Sequence, residues 1–277
     1  MWRVKLFEPG DKYLAISITG HSCSLQCDYC RGRWLRGMIP APTPAMLERL
    51  LDKIVSKGVT GILISGGFTR EARLPFEPFI GVLKRFKMKT RVVISMHTGF
   101  ISEKQAKMLL DIVDVIDYEV PLTNTHLSMM HVWHRKPIDY IYNAAMLKDM
   151  GFHVAPHVLL GLPGVSVSEE SEMLSMLARL VKPDILVMLY HLETKHRPRD
   201  VVNRLLLAVR TVRGYVNEVS LGCMRPLFLK NYEEIVMSVF DRIAVPTLRL
   251  KKLIQRVYPF CCSVPRSLLV SLGYSLA

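Results

Sequence analysis

Apolar residues in this chain come in short β-branched runs, separated by stretches with helical spacing. The runs are Tyr13–Gly20 (YLAISITG), Gly61–Gly67 (GILISGG), Arg91–His97, Asp114–Val120, His153–Gly161 and Asp184–Tyr190. Such runs read as buried strands. The stretches between them carry helix signals. Thr43 before Pro44 predicts an N-cap and first turn for a helix to about Lys57. Ser102 with Gln105 three residues on predicts a capping box. Ser168 and its acidic neighbours predict the start of a helix to about Leu180. Further helices are expected near Glu77–Phe86 and over Asp139–Met150, the latter ending at Gly151. Asn217–Cys223 and Asp241–Thr247 add two strands, and Asn231–Phe240 and Leu248–Val257 two helices. Alternating strands and helices predict a parallel sheet. Eight such units predict an α/β fold, a (β/α)8 barrel that is complete or nearly so. No repeat or linker divides the chain, so residues 1–277 read as one domain with 258–277 as a C-terminal tail.

Length and composition agree: 277 residues, half of them hydrophobic, suit one barrel of roughly 250 residues. No apolar run approaches the roughly 20 residues of a membrane helix, and MWRVKLFEPGDKY lacks the apolar segment of a secretory signal. The expectation is a cytoplasmic protein with no membrane partner. The formal charge of +13 admits nucleic acid, an acidic protein or simply a solvated surface. Basic runs are dispersed, as in KRFKMKTR (84–91) and RLKKLIQR (249–256). Dispersion favours a solvated surface first and an acidic partner next. No appended RNA-binding module is visible.

The chemistry concentrates in ITGHSCSLQCDYCRGRWLRGM (18–38), where Cys23, Cys27 and Cys30 lie together. A disulfide would leave one thiol over. Structural zinc usually takes four ligands, and the other cysteines, Cys223, Cys261 and Cys262, are far away in sequence. A four-iron cluster fits better. Three thiolates on one loop bind three irons and leave the fourth open to a ligand that is not protein. Structural zinc and unpaired thiols remain the alternatives. Barrel chemistry lies at the C-terminal strand ends. Those ends here hold the cysteine loop, Ser65–Gly66–Gly67, Ser95 and His97, Glu119, Gly161–Gly164, Tyr190 and His191, and Cys223 with Arg225. His126, His131 and His134 match no familiar zinc spacing. They read as loop and helix surface or substrate-facing wall. The adjacent Cys261 and Cys262 follow the last helix and are expected at the far end of the barrel unless the tail folds back.

The run Cys23-x-x-x-Cys27-x-Tyr29-Cys30 resembles the motif of the radical S-adenosylmethionine (SAM) superfamily, including the aromatic residue before the third cysteine. The resemblance implies a [4Fe–4S] cluster on Cys23, Cys27 and Cys30 whose open iron binds SAM and splits it into methionine and a 5′-deoxyadenosyl radical. It implies that the Ser65, Gly66 and Gly67 backbone supports the SAM amino group, although Phe68 stands where the family usually has Glu. It implies that Ser95, His97 and Glu119 approach the SAM carboxylate and ribose, that Gly161 and its turn approach the adenine, and that Tyr190 and His191 cap it.

Longer phrases (SITGHSCSLQCDYCRGRWLRGM, LPF, HTGFIS, PHVLLGLPG and LGCMRP) resemble a biotin synthase-related archaeal group that includes one subunit of the two-subunit archaeal lipoyl synthase. That resemblance implies sulfur insertion into an octanoyl chain, a second radical SAM subunit as partner, and an acidic octanoylated carrier protein. No cysteine falls on predicted strands two to six, so biotin synthase's strand-borne second cluster is not expected. Sulfur would then involve Cys223, Cys261 and Cys262 or the partner. YEVPLTNTHL and YHLETKHR depart from the group in loops that would face substrate. Two other readings are a radical SAM enzyme acting on RNA or a small metabolite, and a noncatalytic iron–sulfur subunit.

Overall fold

The computed structural model describes residues 4–275. Eleven strands form one sheet: β1 Lys5–Phe7, β2 Tyr13–Ser17, β3 Ile39–Pro40, β4 Gly61–Ser65, β5 Val93–Met96, β6 Val115–Glu119, β7 His153–Leu160, β8 Ile185–Tyr190, β9 Glu218–Leu221, β10 Arg242–Ala244 and β11 Val257–Tyr258. Every pairing is parallel. The expected strands are all present and are neighbours in chain order, from β2 through β4 to β10. The barrel is not complete, however. The full order is β11-β1-β10-β9-β8-β7-β6-β5-β4-β2-β3, and among the described residues no ladder joins its two ends. The sheet is a curled partial barrel. Very short strands hold both edges, β3 beside β2 and β1 with β11 beside β10.

The helices are α1 Pro44–Val55, α2 Ile80–Lys89, α3 Glu103–Lys107, α4 Asn124–Met129, α5 Pro137–Asp149, α6 Val167–Val181, α7 Pro198–Val212, α8 Glu233–Val236, α9 Leu248–Ile254 and α10 Arg266–Ser271. Of these, α4 lies against the loop after β2 and α10 packs at the strand starts, while the long helices cover the outer face. Thr43 caps α1 by accepting from Met46 N at 3.2 Å, a contact that stabilises a helix start by about 1 kcal/mol. Ser102 and Gln105 form the expected box. The cap of α6 is Ser166, boxed with Glu169, two residues before the expected Ser168. A one-turn 3-10 segment, Glu77–Phe79, leads into α2. The long helix α7 lies where no helix was expected.

Strand residues alternate faces. Ile62, Ile64, Ile94, Met96, Ile116 and Tyr118 pack outward in the main core beneath the helices. Ser65, Ser95, His97, Asp117 and Glu119 therefore point into the lumen. Ala15, Leu63, His97, His157, Leu189 and Cys261 face inward yet keep partial exposure, so the lumen is open in its middle. Its floor is the C-terminal tail, which folds back across the strand starts. Thr60 donates to Pro259 O (2.9 Å), and Phe260 packs against Tyr13. Arg242 donates to Cys262 O and Val264 O (3.0 and 2.6 Å). A second apolar cluster of Phe7, Tyr13, Val93, Ile185, Val187, Phe260, Val264 and Leu269 seals this end.

Candidate functional site

The cysteine loop leaves the top of β2 and winds tightly. Gln26, Arg31 and Gly32 have φ values of 49°, 49° and 68°. Gln26 Nε2 donates to Cys23 O (2.7 Å), and the amides of Cys30 and Arg31 both donate to Cys27 O (2.9 and 2.8 Å). Within this loop Cys23, Cys27 and Cys30 are all free and partly buried, close enough for Cys23 and Cys30 to influence the ionisation of Cys27, and Cys23 that of Cys30. Burial is the main force pushing the Cys27 and Cys30 thiols above their ordinary range, and neighbouring negative charge at Glu119 and Cys23 adds to it. Left to themselves these thiols stay protonated. A metal is what would hold them as thiolates. Among the described residues no group of His, Cys, Asp or Glu is gathered tightly enough for a single ion. Ligands that take separate corners of a cubane stand further apart than ligands of one ion, so a three-thiol loop of this kind fits a cluster.

The loop is clamped from two sides. Beneath it, the end of β4 comes against bare backbone: a Cβ on Gly67 would lie 1.9 Å from Ser22 O and 2.4 Å from Cys23 Cα. Gly67 N donates to Thr19 Oγ1 (2.6 Å) and Ser24 N to Phe68 O (2.9 Å). Phe68 thus serves the loop through its carbonyl. From the other side comes α4. Asp28 N donates to Met129 O (2.9 Å), and His131 faces Asp28 at 3.4 Å. The Tyr29 hydroxyl donates to Glu119 Oε1 (2.9 Å), and His126 Nε2 lies 3.3 Å from that hydroxyl and 3.6 Å from Glu119. Burial works against the Glu119 charge, but the bonds from His126 and Tyr29 outweigh it and hold the carboxyl below its usual value.

His126 corrects the sequence reading: it is 1% exposed and belongs to the site, not to the surface. Its missed signal was Thr123, which caps α4 by accepting from His126 N (3.1 Å) and fixes the side the imidazole faces. His131 and His134 lie outside the site's core, the latter against Arg135.

The remaining strand ends gather above the lumen. Ser65 Oγ lies 3.2 Å from His97 Nδ1, and the His97 ring stands edge-on to His157 with centroids 5.7 Å apart. Burial, the largest influence, holds His97 below its ordinary value. The Ser95 hydroxyl is fully buried lower in the barrel and has no partner. Gly161 has φ 75°, and a Cβ there would strike the Tyr190 ring at 2.3 Å. Its amide is already engaged with Glu170 Oε1 (2.8 Å), which pairs with buried Arg204. Gly161 therefore offers a carbonyl and a close-packed turn, not a free N–H. His191 is buried at the same rim.

Arg225 does not face the mouth. It is buried and binds Glu233, Gly222 O and Ala244 O at 2.7–2.8 Å, tying β9 to β10. Cys223 is exposed at the end of β9. Cys261 and Cys262 lie at the far end, as expected, but as the floor of the lumen. Asp117 and Cys223 are near enough to bias the ionisation of this pair.

No described helix is long and apolar enough to cross a membrane. No curated protein matches the chain. Among solved structures it is similar to methylornithine synthase (PylB) at 11% identity and TM-score 0.60, covering 99% of this chain and 84% of that one. It is similar to Streptococcus suis SuiB bound to S-adenosylmethionine at 15% identity and TM-score 0.57, covering 81% of this chain and 50% of that one, so the match spans only half of SuiB. It is also similar to an archaeal Methanocaldococcus infernus Elp3 at 14% identity and TM-score 0.50, covering 98% and 64%. These likenesses speak for the fold. The Radical SAM superfamily profile matches residues 17–177, from the top of β2 into α6 and more than half of the chain. With the three-cysteine loop seated at the strand tops of a partial barrel, the chain belongs to the radical SAM superfamily.

Proposed function

We propose that this chain removes a hydrogen atom from an unactivated carbon of a substrate held in the barrel lumen. The observation that carries this reading is the seating of the cysteine loop directly over an open, polar-lined lumen. Cys23, Cys27 and Cys30 would hold a [4Fe–4S] cluster. When bound, that group supplies the electron that divides SAM into methionine and a 5′-deoxyadenosyl radical. The protein's own part is positional. The Gly67 contact and the Tyr29–Glu119–His126 network fix the loop. The Ser65–Gly67 backbone, His97, Glu119 and the Gly161 turn are the proposed SAM contacts, while Ser95, expected among them, is buried lower in the barrel and is not one of them. The curled sheet excludes water from the radical's path.

The finer reading is sulfur insertion of the lipoyl synthase type, into an octanoyl chain on an acidic carrier protein and together with a second radical SAM subunit. Three things support it: the phrase-level resemblance to the biotin synthase-related group, the net charge of +13, and free thiols at Cys223, exposed at the end of β9, and at Cys261, partly exposed in the floor and close enough to influence Cys223. The test is anaerobic reconstitution with SAM and reductant, with and without candidate partner and octanoylated carriers, read by mass spectrometry. Alone, the chain should form 5′-deoxyadenosine and at most a partly thiolated product; with its partner it should form the dithiolane. SAM cleavage that leaves every octanoylated carrier unmodified refutes the lipoyl reading. A second reading, radical chemistry on a small amine-bearing metabolite, is favoured by one feature an acyl chain does not require: the unpartnered carboxylate of Asp117 in the lumen.

A further inference from the structure

The lower lumen carries polar atoms for which the SAM site has no use. Asp117, inward on β6, is 1% exposed, and neither carboxylate oxygen has a hydrogen-bond partner. The hydroxyls of Tyr13 on β2 and Ser95 on β5 are also buried and unpartnered. Ser95 lies beside Tyr13, and the charge of Asp117 reaches the Tyr13 phenol, His97 and Cys261. The register gives the geometry: Ser95 pairs with Val115, two residues before Asp117 on the same inner face, so Ser95 and Asp117 are diagonal neighbours. Tyr13 enters the same lumen from β2, across β4 from Ser95.

A buried carboxylate without a partner is costly, and its presence marks a missing partner. The cations of the barrel base are engaged elsewhere. Arg242 binds Glu218, Cys262 O and Val264 O, and Arg225 binds Glu233 and backbone carbonyls. Lys5 binds Glu218. His97 stands beside Asp117, one step past the Met96–Ile116 pair in the β5–β6 register. It faces Ser65 through Nδ1, and burial keeps it neutral near pH 7. Among the described residues no cation answers Asp117.

We propose that Asp117, with Ser95 and Tyr13, is a subsite for the primary ammonium group of the substrate. An ammonium offers three donors and one positive charge, which a carboxylate flanked by two hydroxyls accepts. Leu63 and Leu189, inward and partly exposed, suit an aliphatic segment leading up from it toward the cysteine loop. The site binds and orients; no bond is made or broken there. This deepens the second reading above and rests on the lumen being the substrate chamber.

The test titrates the reconstituted, SAM-loaded protein with n-butylammonium and with 1-butanol by calorimetry. The cation should bind about 30-fold more tightly or better than the alcohol, because an unpaired buried charge is the alternative. Asp117→Asn should abolish that preference. Equal binding of the two probes, binding of neither, or a preference that survives Asp117→Asn overturns the proposal. The wild-type comparison decides even if the variant misfolds. Binding of octanamide in place of butylammonium also overturns the subsite while keeping the lumen as substrate chamber. Formation of 5′-deoxyadenosine in the same samples reports separately on the radical SAM reading.

Discussion

Gly67→Ala is a small change aimed at the contact between β4 and the cysteine loop. The added Cβ would stand 1.9 Å from Ser22 O, 2.4 Å from Cys23 Cα and 2.5 Å from Cys23 Cβ, whereas ordinary contact begins near 3.4 Å. None of these atoms is the free end of a side chain. The loop must therefore retreat by about 1.5 Å, or β4 must yield. The central strand β4 is bonded on both edges, to β2 and β5, so the loop is the element that moves. Overpacking of this kind costs roughly 1–3 kcal/mol, well below the roughly 5–15 kcal/mol of a typical domain. The variant should fold and lose its cluster. Gly66→Ala is the matched comparison: the nearest atoms to its Cβ include no backbone, only the side chains of Thr19 (Oγ1 at 2.9 Å) and Leu74 (Cδ1 at 3.0 Å), contacts that a shift of a few tenths of an ångström relieves. Iron content and visible charge-transfer absorption after reconstitution should fall sharply in Gly67→Ala and little in Gly66→Ala, with circular dichroism unchanged in both. Full iron loading in a folded Gly67→Ala protein would refute the claim that this close approach positions the loop.

Replacing Cys23, Cys27 and Cys30 together with Ala should remove the iron and its visible absorption entirely; retention of either sinks the cluster assignment. Glu119 is held below its ordinary value, with burial opposed and outweighed by the His126 and Tyr29 bonds. The stability it adds is therefore present above its unfolded value of about 4.5 and lost as pH falls through the lower folded value. The gap in denaturant midpoint between wild type and Glu119→Gln should accordingly be constant near neutrality and close as the solution is acidified below that point; a gap that widens in acid contradicts the network. Arg225→Ala leaves Glu233, 2% exposed, without its cation. It should cost about 3–5 kcal/mol, read as a melting temperature lower by roughly 10 °C, and an unchanged melting temperature would count against the clamp between β9 and β10. In the folded protein a small alkylating reagent should modify exposed Cys223 and spare Cys262, which is 4% exposed; mass mapping that finds Cys262 modified first would contradict the tail as a packed floor.

What could be read from the chain follows from how local each signal is. The strands β2, β4 to β8 and the caps at Thr43 and Ser102 are stated by runs of a few residues, and they appear where those runs lie. The cysteine loop is equally local, since its residues from 23 to 30 carry both the thiols and the aromatic that bonds Glu119. The closure of the barrel is a different kind of property. It depends on whether the two sheet edges meet, and here they are held by strands of three residues or fewer, β1, β3 and β11, too short to show any periodicity. Helix α7 hid for another reason: Arg and Asp crowd its start, although Pro198 at its first turn and buried Val201, Leu205, Ala208 and Val212 mark the packed face.

The same division runs through the site. Ser65, Gly67, His97 and Glu119 sit at strand ends that periodicity locates. His126 could be recognised only once α4 was known to fold back onto Tyr29, ninety-seven positions earlier in the chain. Asp117 was in plain view in the middle of a strand, where alternation alone sends it into the lumen beside Glu119. A charged residue at an inward position with no countercharge on either neighbouring strand is a sequence-level conflict. With the Tyr13 and Ser95 hydroxyls on β2 and β5 also unpartnered, that conflict is the ground on which the ammonium subsite is proposed. The lumen of this barrel is therefore specified by what it lacks: a core built only for stability would place an apolar residue at 117, as the chain does at Val93 and Val187 on the same inner wall.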